Sequence, residues 1–197
     1  MKHYPKIEVR RKWGIPELYM DGFPQSTLSY RRDWYRVLKK TLTWGMGEPQ
    51  VLLLGLGGGD IVRVLTKHNP NTKITAVEIQ ADILPISREY FGVEEGQSLV
   101  IKIIDANDFM KKNITQFDIV IVDLYSGDQI PKFVNTFSFL GRARTALFPG
   151  GQVVVNYASH SFQEIDFMKF ESKIGKVFGD VQRVVVWGHT FYLANKL

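Results

Sequence analysis

Residues 51–65 read VLLLGLGGGDIVRVL. Four apolar residues run into a glycine cluster, and an amphipathic pattern follows it. That order predicts a buried strand, a tight turn and a helix. Gly55, Gly57, Gly58 and Gly59 lack a Cβ, so each can take a positive φ and let another group approach the backbone. The helix that starts after them presents unpaired N–H groups, which suit a nucleoside or a phosphate. A glycine cluster alone also serves as a turn with no ligand; the strand before it and the helix after it point to binding. No Gly-Lys-Ser/Thr follows, which excludes a Walker A loop. A dinucleotide fingerprint would need its third glycine where Asp60 stands.

Outward from this turn, runs rich in Val and Ile alternate with helical patterns. The strand-like runs are residues 73–77, 99–104, 117–122 and 152–155. The helical patterns are residues 61–68, 81–91, 106–113 and 136–147. Such alternation predicts crossover units and a parallel sheet covered on both faces. Phe162, Ile165, Met168, Ile174, Val177 and Phe178 suit one face of a further helix, with Gly179 as its stop. Residues 181–187 and 190–194 read as two strands joined at Gly188-His189, an antiparallel hairpin closing the sheet. The expected fold is α/β: a doubly wound Rossmann-like sheet, mostly parallel, in the pattern of the class I methyltransferase-like sheet. The front differs. Residues 6–13 and 17–21 suit a short N-terminal β-hairpin, and residues 29–42 a helix. This predicts residues 1–45 as a truncated hairpin and helix, and residues 46–197 as the nucleoside-binding Rossmann-like domain.

The 197 residues carry a net charge of +5, and the charge is uneven. Residues 1–40 hold ten Lys/Arg against four Asp/Glu, while the remaining 157 residues sum to −1. The basic segment lacks the interleaved pattern of RNA-binding modules, so nucleic acid is not an expected partner. There is no cysteine. That excludes disulfides, Cys-ligated zinc and thiol nucleophiles, and agrees with a cytoplasmic location. No apolar run approaches the ~18–20 residues of a membrane helix. The start, MKHYPKIEVRRKW, has no signal-peptide apolar region. No spacing of His, Asp and Glu suggests a metal.

Three acids stand at strand ends. Glu78 closes ITAVEIQ, 23 residues after Gly55. A carboxylate there can accept bonds from both ribose hydroxyls. Asp105 closes the strand in VIKIIDAND and is placed to meet an adenine edge; it also precedes a helix and suits its cap. Asp123 follows FDIVIV in FDIVIVDLYSGDQIP and is expected to face the substrate. In open α/β sheets, ligands bind beyond the carboxyl ends of the strands.

Together these residues resemble the spermidine synthase (aminopropyltransferase) family. VLLLGLGGGDIVRVL is similar to its glycine loop and helix, and ITAVEI to its ribose-binding strand. FDIVIVDLYSGDQIP and LFPGGQVVVNYAS are similar to its catalytic-loop strand and the next strand. GIPELYMDGFPQST resembles its N-terminal hairpin and the Leu-Asp-Gly…Gln that follows. The resemblance implies that Glu78 binds ribose, that Asp105 with Ala106 contacts adenine, and that Gln25 lies over the thionucleoside. Gly55, Gly57 and Gly59 would cradle the donor. Asp123 matches the first Asp of the family's Asp-Ser-Ser-Asp-Pro loop, which handles the attacking amine. Tyr125 and Ser126 would then lie beside the substrate. The implied donor is decarboxylated S-adenosylmethionine or S-adenosylmethionine, the acceptor a small molecule, and the assembly a homodimer.

The departures bear on the acceptor. The loop's second Asp is replaced by Ser126. The glycine-loop Asp falls on Gly58, leaving Asp60 two positions on to meet a donor's amino group. Where the family has acids after Gln25, this sequence has LSYRRDWYRV, with Arg31, Arg32 and Arg36. A polycation needs several carboxylates, so these arginines argue against putrescine and would suit an acidic acceptor. The attacking amine must also lose a proton. An unperturbed Asp near ~3.9 faces an ammonium near ~10.4, a gap of ~6.5 units or ~9 kcal/mol. Asp123 is therefore expected to align the ammonium while apolar walls lower its pKa. Tyr125, Trp34 and Tyr35 are candidate walls, with packing the preferred reading for Trp34. His160 is the histidine expected nearest the site, and a loop histidine without a role there is the commoner case. Three readings stay open: aminopropyl transfer, S-adenosylmethionine-dependent methylation of a small molecule, and a non-catalytic nucleoside-binding homologue.

Overall fold

Strand β4 (Gln50–Leu54) shows why the sheet is covered twice. Successive side chains of a strand point to opposite faces. Val51 and Leu53 join one buried cluster and Leu52 and Leu54 the other, and all four are fully buried. Strand β7 (Phe117–Val122) repeats the division, with Ile119 and Ile121 on the first face and Val120 and Val122 on the second. Strands apolar on both faces need helices on both sides. The computed structural model describes residues 6–41, 47–157, 162–187 and 189–197.

Strand order in the large sheet is β6-β5-β4-β7-β8-β10-β9. The members not yet placed are β5 (Lys73–Glu78), β6 (Leu99–Ile103), β8 (Leu147–Asn156), β9 (Val181–Val186) and β10 (His189–Asn195). β4, β5, β6, β7 and β8 run parallel, and β10 is antiparallel to both β8 and β9. This is the class I methyltransferase-like sheet with its C-terminal hairpin. The order reverses at β4, which has β5 on one side and β7 on the other. Such a switch point opens a crevice at the carboxyl ends of the strands.

The first face is covered by α1 (Leu28–Leu38), α2 (Asp60–His68) and α3 (Ile83–Phe91). The second is covered by α4 (Ala106–Lys112), α5 (Phe137–Thr145) and α6 (Glu164–Phe178). Helix α1 sends Trp34, Val37 and Leu38 into the first cluster, and Trp34 meets Phe191 of β10 edge to face at 5.0 Å. It therefore packs with the large sheet. Residues 42–46, at the expected boundary, lie outside the described residues. No helix among the described residues is long and apolar enough to cross a membrane.

Three expectations change. The N-terminal hairpin is a three-stranded antiparallel sheet of β1 (Ile7–Lys12), β2 (Ile15–Met20) and β3 (Phe23–Ser26). Pro24 hid β3, yet β3 is an edge strand, where a missing N–H is tolerated. Strand β8 begins at Leu147, five residues before the expected start. Its first part holds Pro149, Gly150 and Gly151, which read as a turn, and its register against β7 is irregular there. Helix α5 accordingly ends at Thr145 and not at Leu147.

Candidate active site

A cavity of about 770 Å³ opens at the carboxyl ends of β4, β5 and β7. That volume lies in the range of roughly 300–1,000 Å³ usual for small-molecule sites. Its floor is the turn after β4 together with Glu78, Asp105 and Asp123. Its roof comes from the N-terminal sheet and the start of α1, including Tyr19, Gln25, Thr27, Tyr30 and Trp34. Thr27 caps α1 by accepting the Tyr30 N–H at 3.2 Å, which fixes where the helix enters the roof. Gln25, Gly55, Gly57, Asp60, Glu78, Asp105, Ala106, Asp123, Tyr125 and Ser126 all line this cavity, and Gly59 does not.

Glycine is required at the floor. Gly55 has φ +98°, and a Cβ there would fall 2.0 Å from the Asp123 carbonyl oxygen. Gly59 has φ +76° as the N-cap of α2, and a Cβ would collide with Val93 at 2.3 Å. Gly57 is also left-handed, whereas Gly58 is not. The turn is held by Glu78. Its Oε2 accepts the N–H groups of Leu56 and Gly57 at 3.1 and 3.2 Å. Its Oε1 accepts those of Ile79 and Gln80, both at 2.8 Å. A carboxylate has about four acceptor positions. Glu78 was expected to offer its oxygens to ribose, and here backbone donors fill them. Asp105 does cap α4, accepting the Asp108 N–H at 3.0 Å, and Ala106 is buried beside it.

Asp60 also differs from the expectation. It lines the cavity, but its carboxylate accepts Ser26 Oγ at 2.6 Å, Arg31 Nε at 2.9 Å and an Arg63 nitrogen at 2.5 Å. Two guanidiniums offset its one negative charge, so it is not a free counter-ion for a donor ammonium. The same contacts explain the arginines of α1. Arg31 turns to Asp60, Arg36 pairs with buried Asp33 at 3.2 Å, and Arg32 is exposed. None of the three lines the cavity. Arg31 and Arg36 are thereby offset by carboxylates, and Arg32 faces solvent.

The far end of the cavity centres on Asp123. Burial pushes its carboxyl up to about 7, against the pull of the Asn156 side chain, while the negative Asp60 adds to the rise. Asn156 Nδ2 donates to Asp123 Oδ1 at 2.9 Å. Trp34 is fully buried, yet it reaches the cavity wall. Its Nε1–H makes no hydrogen bond of ordinary geometry, although its nearness lowers the Asp123 pKa. Tyr30 is raised above the ordinary phenol range by burial and by the Asp123 charge. Gln25 Nε2 donates to the Gly127 carbonyl at 3.4 Å, linking the roof to the loop after β7. Ser126 and Gln129 exchange backbone bonds of 2.8 and 3.1 Å and close that loop. Tyr125 lies on the wall with its hydroxyl 3.5 Å from the Asn156 carbonyl.

The sequence reading missed several side chains here. Glu17, Tyr30 and His189 all line the cavity. His160 lies outside the described residues; among the described residues, His189, edge to face with Tyr30 at 4.7 Å, is the histidine on the cavity wall. Only the packing of β2, α1 and β10 over the floor brings these groups in. Exposed Tyr35 is not on the wall. Among the described residues no three His, Asp or Glu form a metal-holding group.

Known proteins resemble this chain in sequence and in fold. A polyamine aminopropyltransferase of Chromobacterium violaceum is 28% identical over 187 residues, covering 86% of this chain and 70% of the relative. A crystal structure of a probable spermidine synthase from Corynebacterium glutamicum superposes with a TM-score of 0.79 at 21% identity, over 98% of this chain and 77% of that one. A spermidine synthase in complex with the transition-state analogue AdoDATO gives a TM-score of 0.79 at 19% identity, over 98% and 71%. At those identities the structures establish the fold. The family model for the spermine/spermidine synthase domain matches residues 38–194, from the end of α1 through β10, and so takes in the whole floor of the cavity. On that match the chain belongs to the spermine/spermidine synthase family.

Proposed function

We propose that this protein transfers the aminopropyl group of decarboxylated S-adenosylmethionine to an amine. The observation that carries the reading is Asp123, a carboxyl raised to about 7 beside the glycine turn. The acceptor nitrogen would attack the propyl carbon bonded to the sulfonium. The carbon–nitrogen bond forms, the carbon–sulfur bond breaks, and its electron pair stays on sulfur. Methylthioadenosine leaves as a neutral thioether, the product stays an ammonium, and the one proton released is the one the acceptor ammonium gives up before its nitrogen attacks.

Asp123 is suited to hold that proton. Its pKa of about 7 leaves a gap of about 3 units, or ~4–5 kcal/mol, to an ordinary ammonium. An unperturbed carboxyl would face about twice that. Apolar walls close more of the gap by lowering the amine's own pKa. Asn156 keeps the carboxyl oriented through its 2.9 Å bond. We assign Gln25 to the thionucleoside, Asp105 and Ala106 to the adenine, and Tyr125 and Ser126 to the substrate side. Glu78 would meet ribose by releasing backbone N–H groups that it now holds.

The test compares donors by mass spectrometry with putrescine as acceptor. The reading expects methylthioadenosine and an aminopropylated amine from the decarboxylated donor. S-adenosylhomocysteine and a methylated amine from S-adenosylmethionine, with no turnover of the decarboxylated donor, would replace it with methyl transfer.

A further inference from the structure

An acceptor longer than a single amine brings a second positive charge into the cavity. The acids expected after Gln25 are absent, but the structure provides a carboxylate from another element. In β2, Leu18 packs into the core while Glu17 and Tyr19 face the cavity. Glu17 is only 7% exposed. Its carboxylate accepts the Tyr19 hydroxyl at 2.9 Å. No Lys or Arg nitrogen among the described residues lies within ion-pairing distance of it.

The nearby cations are engaged elsewhere. Arg10 stands across from Glu17 in the strand register, but its guanidinium bonds Glu8 at 3.0 Å and lies over the Tyr19 ring at 4.2 Å. Lys12, also on the cavity wall, has its ammonium over the Trp13 ring at 5.0 Å. A buried carboxylate with one neutral donor is costly unless a cation completes it. The cavity is the open side from which such a cation can come.

We infer that Glu17 is the counter-ion for a second, non-reacting ammonium of the acceptor and selects diamines over monoamines. The inference rests on the aminopropyl-transfer reading for its substrate, and it adds a residue that the glycine-turn and strand-end pattern does not contain. The amine to be alkylated would lie at Asp123 and the spare ammonium at Glu17.

Calorimetric titration of the full chain, saturated with methylthioadenosine, tests this without turnover. The ligands are 1,4-diaminobutane and n-butylamine. The wild type is expected to bind the diamine about tenfold or more tightly than the monoamine. Glu17→Gln keeps an acceptor for the Tyr19 hydroxyl and is expected to erase that preference, with butylamine affinity unchanged. Glu17→Asp draws the carboxylate back by one methylene and is expected to move the preference to 1,5-diaminopentane. An unaltered diamine preference in Glu17→Gln, or no preference in the wild type, would overturn the inference. Diamine binding through Glu17 without any donor turnover would support Glu17 and refute the transfer reading. Transfer to both amines with the same preference in Glu17→Gln would do the reverse.

Discussion

Arg31 Nε lies 2.9 Å from Asp60 Oδ1, joining α1 to the first turn of α2 across 29 residues of sequence. One bond thus ties the roof of the cavity to its floor. It also cancels a charge on each side, which is why an arginine in the acceptor-side segment does not make the cavity hostile to cations. Asp60 is 5% exposed, so losing a partner leaves it poorly compensated. Arg31→Ala is expected to cost about 1–2 kcal/mol, less than a full buried pair because Arg63 remains. Urea unfolding measures it; no change in midpoint would mean the bond contributes nothing.

Gly55 sets a harder limit. With φ +98° and a Cβ position 2.0 Å from a backbone oxygen, Gly55→Ala combines strain with a clash that cannot relax through a side chain. The expected loss is about 3 kcal/mol or more. Soluble yield and unfolding midpoint check it.

The strand-end acids divide between what the sequence could and could not reveal. Glu78, Asp105 and Asp123 were legible because each is the acid met at the end of a run rich in Val and Ile. The glycine turn was legible because its strand and helix are local. Glu17, Tyr30 and His189 were not legible as wall residues. Each sits in an ordinary strand or helix pattern, and only non-local packing of β2, α1 and β10 brings them to the cavity. The one available signal for Glu17 was a charged residue alternating with buried Leu18 in a short strand. The side-chain direction of Arg31 depends on a partner 29 residues away, which no local pattern encodes. Strand β3 was hidden by Pro24, whose missing N–H matters only if the strand is internal.

Glu78 organises four backbone donors through two oxygens. Glu78→Gln replaces one acceptor by an NH2 group that would face N–H groups. A stability loss of about 1–3 kcal/mol is expected. Methylthioadenosine affinity should fall by about tenfold or more, because the turn that receives the nucleoside loosens. Calorimetry on the folded variant separates the two effects. Wild-type affinity in Glu78→Gln would remove Glu78 from nucleoside binding.

Asp123 makes the fold sensitive to pH. Its folded pKa of about 7 lies above the unfolded value, so the folded chain binds this proton more tightly. The contribution of this carboxyl to stability is greatest where both states are protonated, below about pH 4. It falls as pH rises to about 7 and stays lower above that. Asp123→Asn has no proton to lose. It is expected to be more stable than the wild type at pH 8, by about 1–3 kcal/mol, and equal to it at pH 4. Equal stability at both pH values would mean that the carboxyl is not raised.

Single-turnover transfer from the decarboxylated donor, followed across pH in the wild type and Asp123→Asn, tests the central claim most directly. The account predicts a wild-type rate that rises with pH through a midpoint near 7, as the carboxyl becomes free to take the proton. It predicts a rate lower by about 100-fold or more in Asp123→Asn, with that step gone. A variant that keeps both the wild-type rate and its pH step would contradict it.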